Sequence, residues 1–416
     1  MRSVMPADPR RRAMLRVFGL AAAGAAAPSI AWGFSGATGA SPQVATLARA
    51  RSDLRVAILL PGSQFDGIST AAAAFRDGFT LAVDGSTARR MSVHVHDIGG
   101  GVSRAMAFAR GQRAARDTDV VVAMMSARAA PWMQQDLAAA GMPLMVANAG
   151  ERIVRSDAVS PSFVYSSLEL ASAAYASGRW AAEHAGRRCA LACSYYESGF
   201  EMVPAFRAGF EAAGGTMVYS VVSGAPSGTI AVAAAARELA ESDADVVAAF
   251  YTGDDAREFF AAYAALEPAR RRVVVASPMV TADEAFGVEL TSVAAWSPAL
   301  PVDANRNFVA SFAERFCRIP DPFAMLGYET ACMVRDSSPG GARSLADGLR
   351  RSGFAGTRGA VAMDARTNEI RTPLFLRRID GSGEESLTEL VAASTAVHLA
   401  DALCEQGGWI TSYMTV

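Results

Sequence analysis

Short, wholly apolar runs alternate with longer amphipathic ones along most of this chain, and they do so in two successive sets. The runs are too short for helices and too evenly apolar for half-exposed strands, so they read as strands buried on both faces. Arg55-to-Leu60 (RVAILL) is the first, followed by Met91–His96, Val120–Met125 and Pro143–Val146. Helices are predicted between them at Thr70–Asp84, Ser103–Asp117 and Ala130–Ala140; Phe75, Phe79 and Val83 fall on one face of the first. The second set runs through helix Leu170–His184, strand Cys189–Cys193, helix Met202–Ala213, strand Thr216–Val222 and helix Thr229–Ser242. It continues with strand Val246–Phe250, helix Asp255–Leu266 and strand Arg272–Ala276. Repeated βαβ units give parallel sheets with helices on both faces. The expected fold class is therefore α/β, with two doubly wound parallel-sheet lobes, and 416 residues suffice for both.

The rhythm changes from Leu290. Phe308–Phe316, Phe323–Asp336 and Ala342–Ser352 read as helices, and two short strands precede a strong one at Leu374–Arg378. The stretch from Glu384 reads as a further helix and coil.

With 51% apolar and 19% charged residues the chain can bury sizeable cores, and its net charge of −2 gives no reason to expect nucleic acid or an anionic membrane as partner. The N-terminal RRRAMLRVFGLAAAGAAAPSIAWG has a basic region, an apolar stretch from Val17 to Ile30 and small residues after it, which is the layout of an export signal. Arg11-Arg12-Ala13-Met14-Leu15-Arg16 resembles the twin-arginine pattern. Residues 1–40 are assigned to this signal and a linker, which implies a periplasmic protein, its signal cleaved, with no membrane insertion. Cys189 and Cys193 share one predicted strand; four residues at roughly 3.3 Å each put their Cα atoms too far apart for a disulfide. Cys317, Cys332 and Cys404 could supply one bridge, although buried free thiols are the simpler expectation.

Ligands of open parallel sheets bind at the carboxyl ends of the strands, so the loops after the strands hold the candidate site. They offer Ser126 and Arg128; Asn148, Ala149, Gly150 and Glu151; Tyr195, Tyr196 and Ser198; Tyr251, Thr252 and Asp254; and Met279. One set supplies hydroxyls, backbone amides and an arginine, the other tyrosines and carboxylates. Each residue also has a structural use: Ser126 and Asp254 can cap helices, Asn148 and Gly150 can serve turns, Arg128 can be a solvated surface group, and one of the two tyrosines can pack on its own lobe. His94 and His96 share a strand face without an evident third metal ligand. There is no G-x-S-x-G elbow, P-loop or dinucleotide fingerprint, so neither catalysis nor a cofactor is expected.

Five stretches together carry a family resemblance: RVAILLPGS with AFRDGFTLAVD; DTDVVVAMMSARAAPWMQQDLAAAGMPLMVANAGERI; ALACSYYESGFEMVPAFRAGFEAAGGTM; ADVVAAFYTGDDAREFFAAYAAL; and DPFAMLGYETACMV followed by GFAGTRGAVAMDARTNEIRTPLFLRRI. In this order and spacing, over Asp53 to Gly381, the chain resembles the type I periplasmic solute-binding proteins of the branched-chain amino acid and amide family, receptors of ABC importers. The resemblance implies three crossovers forming a hinge. Lobe 1 would comprise 53–165 and 291–370, lobe 2 would comprise 166–290 and 371–381, and 382–416 would be an extension. It implies a ligand-gripping serine at Ser126, or Arg128 by a gap-free count, and a contact at Ala149 with Glu151 in place of a hydroxyl. Ser198 falls where a tyrosine is usual, and Met279 falls near the position of an amine-gripping carboxylate, a role Asp254 or Glu169 could take. The implied function is capture of a small polar or amphipathic metabolite (an amino acid, amide or related compound) by a monomer that works with ABC permease subunits. The alternative is a periplasmic regulator or scaffold of the same fold acting on a partner protein.

Overall fold

The computed structural model describes residues 53–62, 66–85, 91–99, 102–127, 129–150, 160, 162–224, 230–280, 285–337, 347–349 and 354–389. The expected export signal, most of the predicted helix Ala342–Ser352, Cys404 and the end of the tail lie outside them.

The first sheet is formed by β1 (Leu54–Leu60), β2 (Met91–Asp97), β3 (Val120–Met124), β4 (Leu144–Asn148) and β5 (Phe163–Ser167). All pairings are parallel, in the order β2-β1-β3-β4-β5. Helices α1 (Asp66–Asp84), α2 (Val102–Ala115) and α3 (Ala130–Ala140) connect the first four strands. Three strands, β1, β3 and β4, are apolar and almost fully buried because a doubly wound sheet is covered on both faces. Strand β5, which sequence patterning did not separate, ends in two serines, so its apolar run is too short to register.

The second unit starts with α4 (Leu170–His184) and continues with β6 (Arg188–Ser194), α5 (Met202–Ala212), β7 (Thr216–Ser223) and α6 (Val232–Glu241). Strand β8 (Val246–Phe250), α7 (Gly253–Ala264), β9 (Val273–Ala276) and β10 (Leu290–Ala294) complete it. The chain then returns through α8 (Asp303–Phe316) and α9 (Pro322–Ser337) to a small antiparallel sheet of β11 (Phe354–Gly356), β12 (Gly359–Met363) and β13 (Ile370–Arg371). It ends with β14 (Phe375–Ile379) and β15 (Glu385–Glu389). The second sheet has the order β15-β14-β10-β9-β8-β6-β7, with β14 antiparallel to both its neighbours.

Two expectations are corrected here. Leu290–Ala294, placed largely in the first lobe by sequence, pairs with β9 and β14 in the second sheet. Residues 385–389, expected as the start of a helix, form an edge strand, where the alternation of partly buried and exposed residues over 385–388 fits the period of two.

Each unit is closed by one pair of helices in unusually close contact. In the first, a Cβ added to Gly78 of α1 would overlap the Ala324 carbonyl oxygen of α9, and one added to Gly327 would overlap that of Phe75. In the second, Gly178 of α4 faces the Phe206 carbonyl of α5, and Gly209 faces that of Tyr175, with the same overlap. Small residues let helix backbones approach this far.

The crossovers decide where a site can be. The first leaves β5 at its carboxyl end and enters α4, which runs antiparallel to β6 and so starts beside the carboxyl end of that strand. The second leaves β10 at its carboxyl end, Ala294. The third enters the sheet at Phe375, directly opposite Ala294, after leaving β13, whose preceding residue, Glu369, makes a parallel bridge to Tyr165 of β5. The first and third therefore join the carboxyl edges of the two sheets, and the second leaves from that edge of the second sheet.

Candidate functional site

The ends of β3 and β4 supply the described part of the site in the first lobe. Ser126, just after β3, is buried, and its Oγ accepts the Ala129 N–H at 3.3 Å, so the hydroxyl closes the turn that leads into α3. Asn148 ties neighbouring tips together: Nδ2 donates to the Met125 carbonyl at 3.4 Å and Oδ1 accepts the Gly150 N–H at 2.9 Å. The carbonyls of Ala149 and Gly150 accept the N–H groups of Leu170 and Ala171 at 3.0 and 2.9 Å, which are among the otherwise unsatisfied donors of the α4 N-terminus. Gly150 has φ of 72°, and a Cβ there would press on the Glu169 backbone, so glycine is required. The candidate loop after β4 is thus also the cap of the first crossover. Arg128 and Glu151 lie outside the described residues.

In the second lobe, Tyr195 and Tyr196 follow β6 and are both substantially exposed; Tyr196 makes an edge contact with Phe200 at 5.0 Å. Ser198 Oγ donates to the Tyr195 carbonyl at 2.7 Å, which closes the turn carrying both rings. Thr252 is half-buried at the tip of β8, Asp254 extends into solvent and pairs with Arg257, and the Met279 N–H donates to Ser277 Oγ at 3.3 Å. Tyr251 is a correction. Its ring lies wholly inside the lobe, stacked on Phe259 at 4.6 Å, and its hydroxyl pairs with Ser223 Oγ at 2.8 Å. It stands at the end of the buried face of β8, so burial rather than a ligand accounts for the aromatic. Cys189 and Cys193 are free, and burial pushes both thiols up to about 12, leaving them protonated at neutral pH.

The residue that sequence reasoning passed over is Glu197, in the turn that carries the tyrosines. It is only 3% exposed. Its Oε1 accepts the Thr252 hydroxyl at 2.8 Å, its N–H donates to Ser194 Oγ at 2.9 Å, and Oε2 is buried without a hydrogen bond. Burial, opposed by the Thr252 bond and reinforced by Asp255, raises its pKa to about 7. The folded chain therefore holds this proton more tightly than the unfolded chain, whose glutamate titrates at 4.5. This group's contribution to stability is greatest below that value and declines as pH rises through 7, by on the order of 3 kcal/mol in all. Glu197→Gln is expected to remove that slope. Melting curves of both proteins from pH 4 to 8 test it, and parallel profiles would refute it.

Glu169 lies in the hinge rather than at a tip. At φ of 54°, costly for a residue with a side chain, it turns its carboxylate onto the third crossover. There it accepts the Thr372 N–H at 3.0 Å and the Thr372 hydroxyl, with Arg371 3.6 Å away. Burial pushes its pKa up, and Arg358 and Arg371 oppose the shift. Arg358 and Glu329 are fully buried partners: Arg358 Nε donates to Glu329 Oε2 at 2.8 Å, while its Nη1 donates to the Ser167 carbonyl at 2.8 Å, where the first crossover begins. Asn305, also fully buried, holds the second crossover through bonds to Trp296 Nε1 and to the carbonyls of Ser297, Pro298 and Leu300. Each crossover is thus pinned by a buried polar side chain. Among the described residues no group of three His, Cys, Asp or Glu could hold a metal ion, and no helix is long and apolar enough to cross a membrane.

Comparison with known proteins agrees with the α/β fold. A family profile described as periplasmic binding protein matches residues 33–384. No curated protein matches the sequence. Among solved structures, a solute binding protein of an ABC transporter from R. palustris in complex with benzoate is 23% identical, with 82% of this chain and 96% of that chain covered at a TM-score of 0.64. An ABC transporter substrate-binding protein from Sphaerobacter thermophilus is 21% identical, covers 82% and 97%, and has a TM-score of 0.68. The branched-chain amino acid transporter substrate binding protein LivJ from Streptococcus pneumoniae, in complex with isoleucine, is 15% identical over 82% and 100%, with a TM-score of 0.61. At these identities the likeness is one of fold.

Proposed function

Since the chain belongs to the type I periplasmic binding protein family, we propose that it is the extracytoplasmic solute-binding receptor of an ABC importer and closes its two lobes on a small polar or amphipathic metabolite. The observation that carries this reading is that the first and third crossovers join the carboxyl edges of both sheets while the second leaves from that edge. A hinge there leaves the tip loops as the surfaces that approach when the lobes close. Ligand shifts that open–closed equilibrium by binding the closed form better, and the permease subunits then read the closed form.

In this proposal Tyr195 and Tyr196 give the second lobe an aromatic wall, with Ser198, Thr252, Asp254 and Met279 around it. The first lobe contributes Ser126, Asn148 and the backbone of Ala149 and Gly150, together with Arg128 and Glu151. Related folds that hold benzoate and isoleucine support a ligand of that size, with an apolar body and a polar head. The protein works as a monomer in the periplasm after removal of its N-terminal signal.

Thermal-shift screening is the test, with leucine, isoleucine, simple amides, benzoate and hydroxybenzoates as probes. A cognate ligand at 100 times its Kd adds about 2.7 kcal/mol of stability. Tyr195→Ala, an exposed position, should keep the unliganded melting point and lose most of that gain. A panel that leaves the wild-type melting point unmoved would return the periplasmic regulator or scaffold to first place.

A further inference from the structure

We propose that Arg377 is a positioning residue that sets the tip loop after β9 against the second crossover, and that it depends on Glu385 from the strand that follows the family-matched region. The family profile ends at residue 384, yet β15 continues the second sheet from Glu385 and pairs along all of β14. Arg377 on β14 is 5% exposed. Its Nε donates to Ser292 Oγ on β10 at 2.9 Å, and its Nη2 reaches over to the carbonyl of Pro278 at 3.2 Å. Pro278 lies in the loop Ser277–Met279, one of the tip loops to which the proposed function assigns ligand contact; this inference rests on that reading for its consequence but not for its geometry.

A guanidinium this deep needs a compensating charge. Glu385 supplies it, with Oε1 3.7 Å from Arg377 Nε and a side chain equally buried. The other oxygen of Glu385 accepts the hydroxyl of Ser297 at 2.7 Å, and Ser297 Oγ in turn accepts the Ala299 N–H at 3.1 Å. Ser297 and Ala299 belong to the second crossover, between β10 and α8. One buried polar chain therefore runs from a tip loop through Arg377 and Glu385 to the hinge. The Arg377–Glu385 link is an ion pair beyond hydrogen-bond distance and leaves Glu385 Oε1 buried without a hydrogen bond, so charge attraction couples the two ends, and removing Glu385 leaves the guanidinium uncompensated.

Amide hydrogen exchange on the full-length, ligand-free protein tests this without knowledge of the ligand. Glu385→Ala is expected to speed exchange about tenfold or more at the amides of Met279 and Val280 and at those of Ser297, Ala299 and Leu300 together, with β1 and β3 unchanged. Glu385→Asp should restore much of the protection in both segments. The apolar pair Arg377→Met with Glu385→Leu separates positioning from stability: its melting point should return close to wild type while both segments still exchange fast. Unchanged exchange in Glu385→Ala, or full protection of both segments in the apolar pair, would overturn the proposal. Failure to bind any probe ligand would bear on the proposed transport function alone.

Discussion

Glu329→Gln should lower the stability of the protein by about 3–5 kcal/mol, because it leaves the Arg358 guanidinium buried with no opposing charge. Both side chains are completely inaccessible, and Glu329 is used to the full: Oε1 accepts the Thr357 hydroxyl at 2.8 Å and the Arg358 N–H at 3.1 Å, and Oε2 accepts Arg358 Nε. A loss of that size in a chain this long lowers the melting midpoint by roughly 4–6 °C. Replacing both partners at once, with Arg358→Met and Glu329→Leu, should recover most of the loss, since an ion pair taken out of water gains little over well-packed apolar groups. The double variant should nevertheless differ in one respect. Arg358 also donates to the Ser167 carbonyl, so amide exchange around the first crossover should stay faster than in the wild type. Single and double variants of equal stability would show that the pair is not coupled as the geometry implies.

The second large effect is steric. Gly327→Val should cost about 3 kcal/mol or more, and Gly178→Val a similar amount. In both, the first added carbon collides with a main-chain carbonyl of the facing helix, Phe75 in one lobe and Phe206 in the other. A flexible side chain could move aside, but a carbonyl fixed in a helical hydrogen-bond ladder cannot, so the two helices must separate and open the core between them. Gly111 provides the control. It lies in α2 with open space where its Cβ would be, so Gly111→Ala should gain about 0.5–1 kcal/mol from helix propensity alone. Chemical unfolding of the three variants decides the matter, and equal midpoints for Gly327→Val and Gly111→Ala would refute the close-packing argument.

Much of the fold was legible in the sequence because local patterning and tertiary position agree in a doubly wound sheet. Helices Ala130–Ala140 and Leu170–His184 and strand Val246–Phe250 fall where periodicity puts them. The misses have separate physical causes. Strand β5 ends in two serines, so its apolar run is too short to mark it. Residues 385–389 carry two glutamates and read as helical or coil until β14 is there to pair with them. In the candidate site, the loops were visible but the roles inside them were not. Tyr251 and Tyr195 both look like aromatic walls in a loop after a strand; one belongs to the core and the other to the surface. Glu197 looked like any loop carboxylate, because its burial comes from β8 and α5, which the local sequence does not report.

The alternation of apolar and amphipathic segments was enough by itself to determine two parallel-sheet units and the strand ends where a site must form, since burial on both faces leaves a continuous apolar trace in each strand. Only the tertiary structure decided which polar residues face outward at those ends and which lock the hinge. Arg358 meets Ser167 across 191 positions and Thr372 meets Glu169 across 203. A buried charge is stabilised by whatever partners the fold brings to it, and no local pattern encodes a partner that far away.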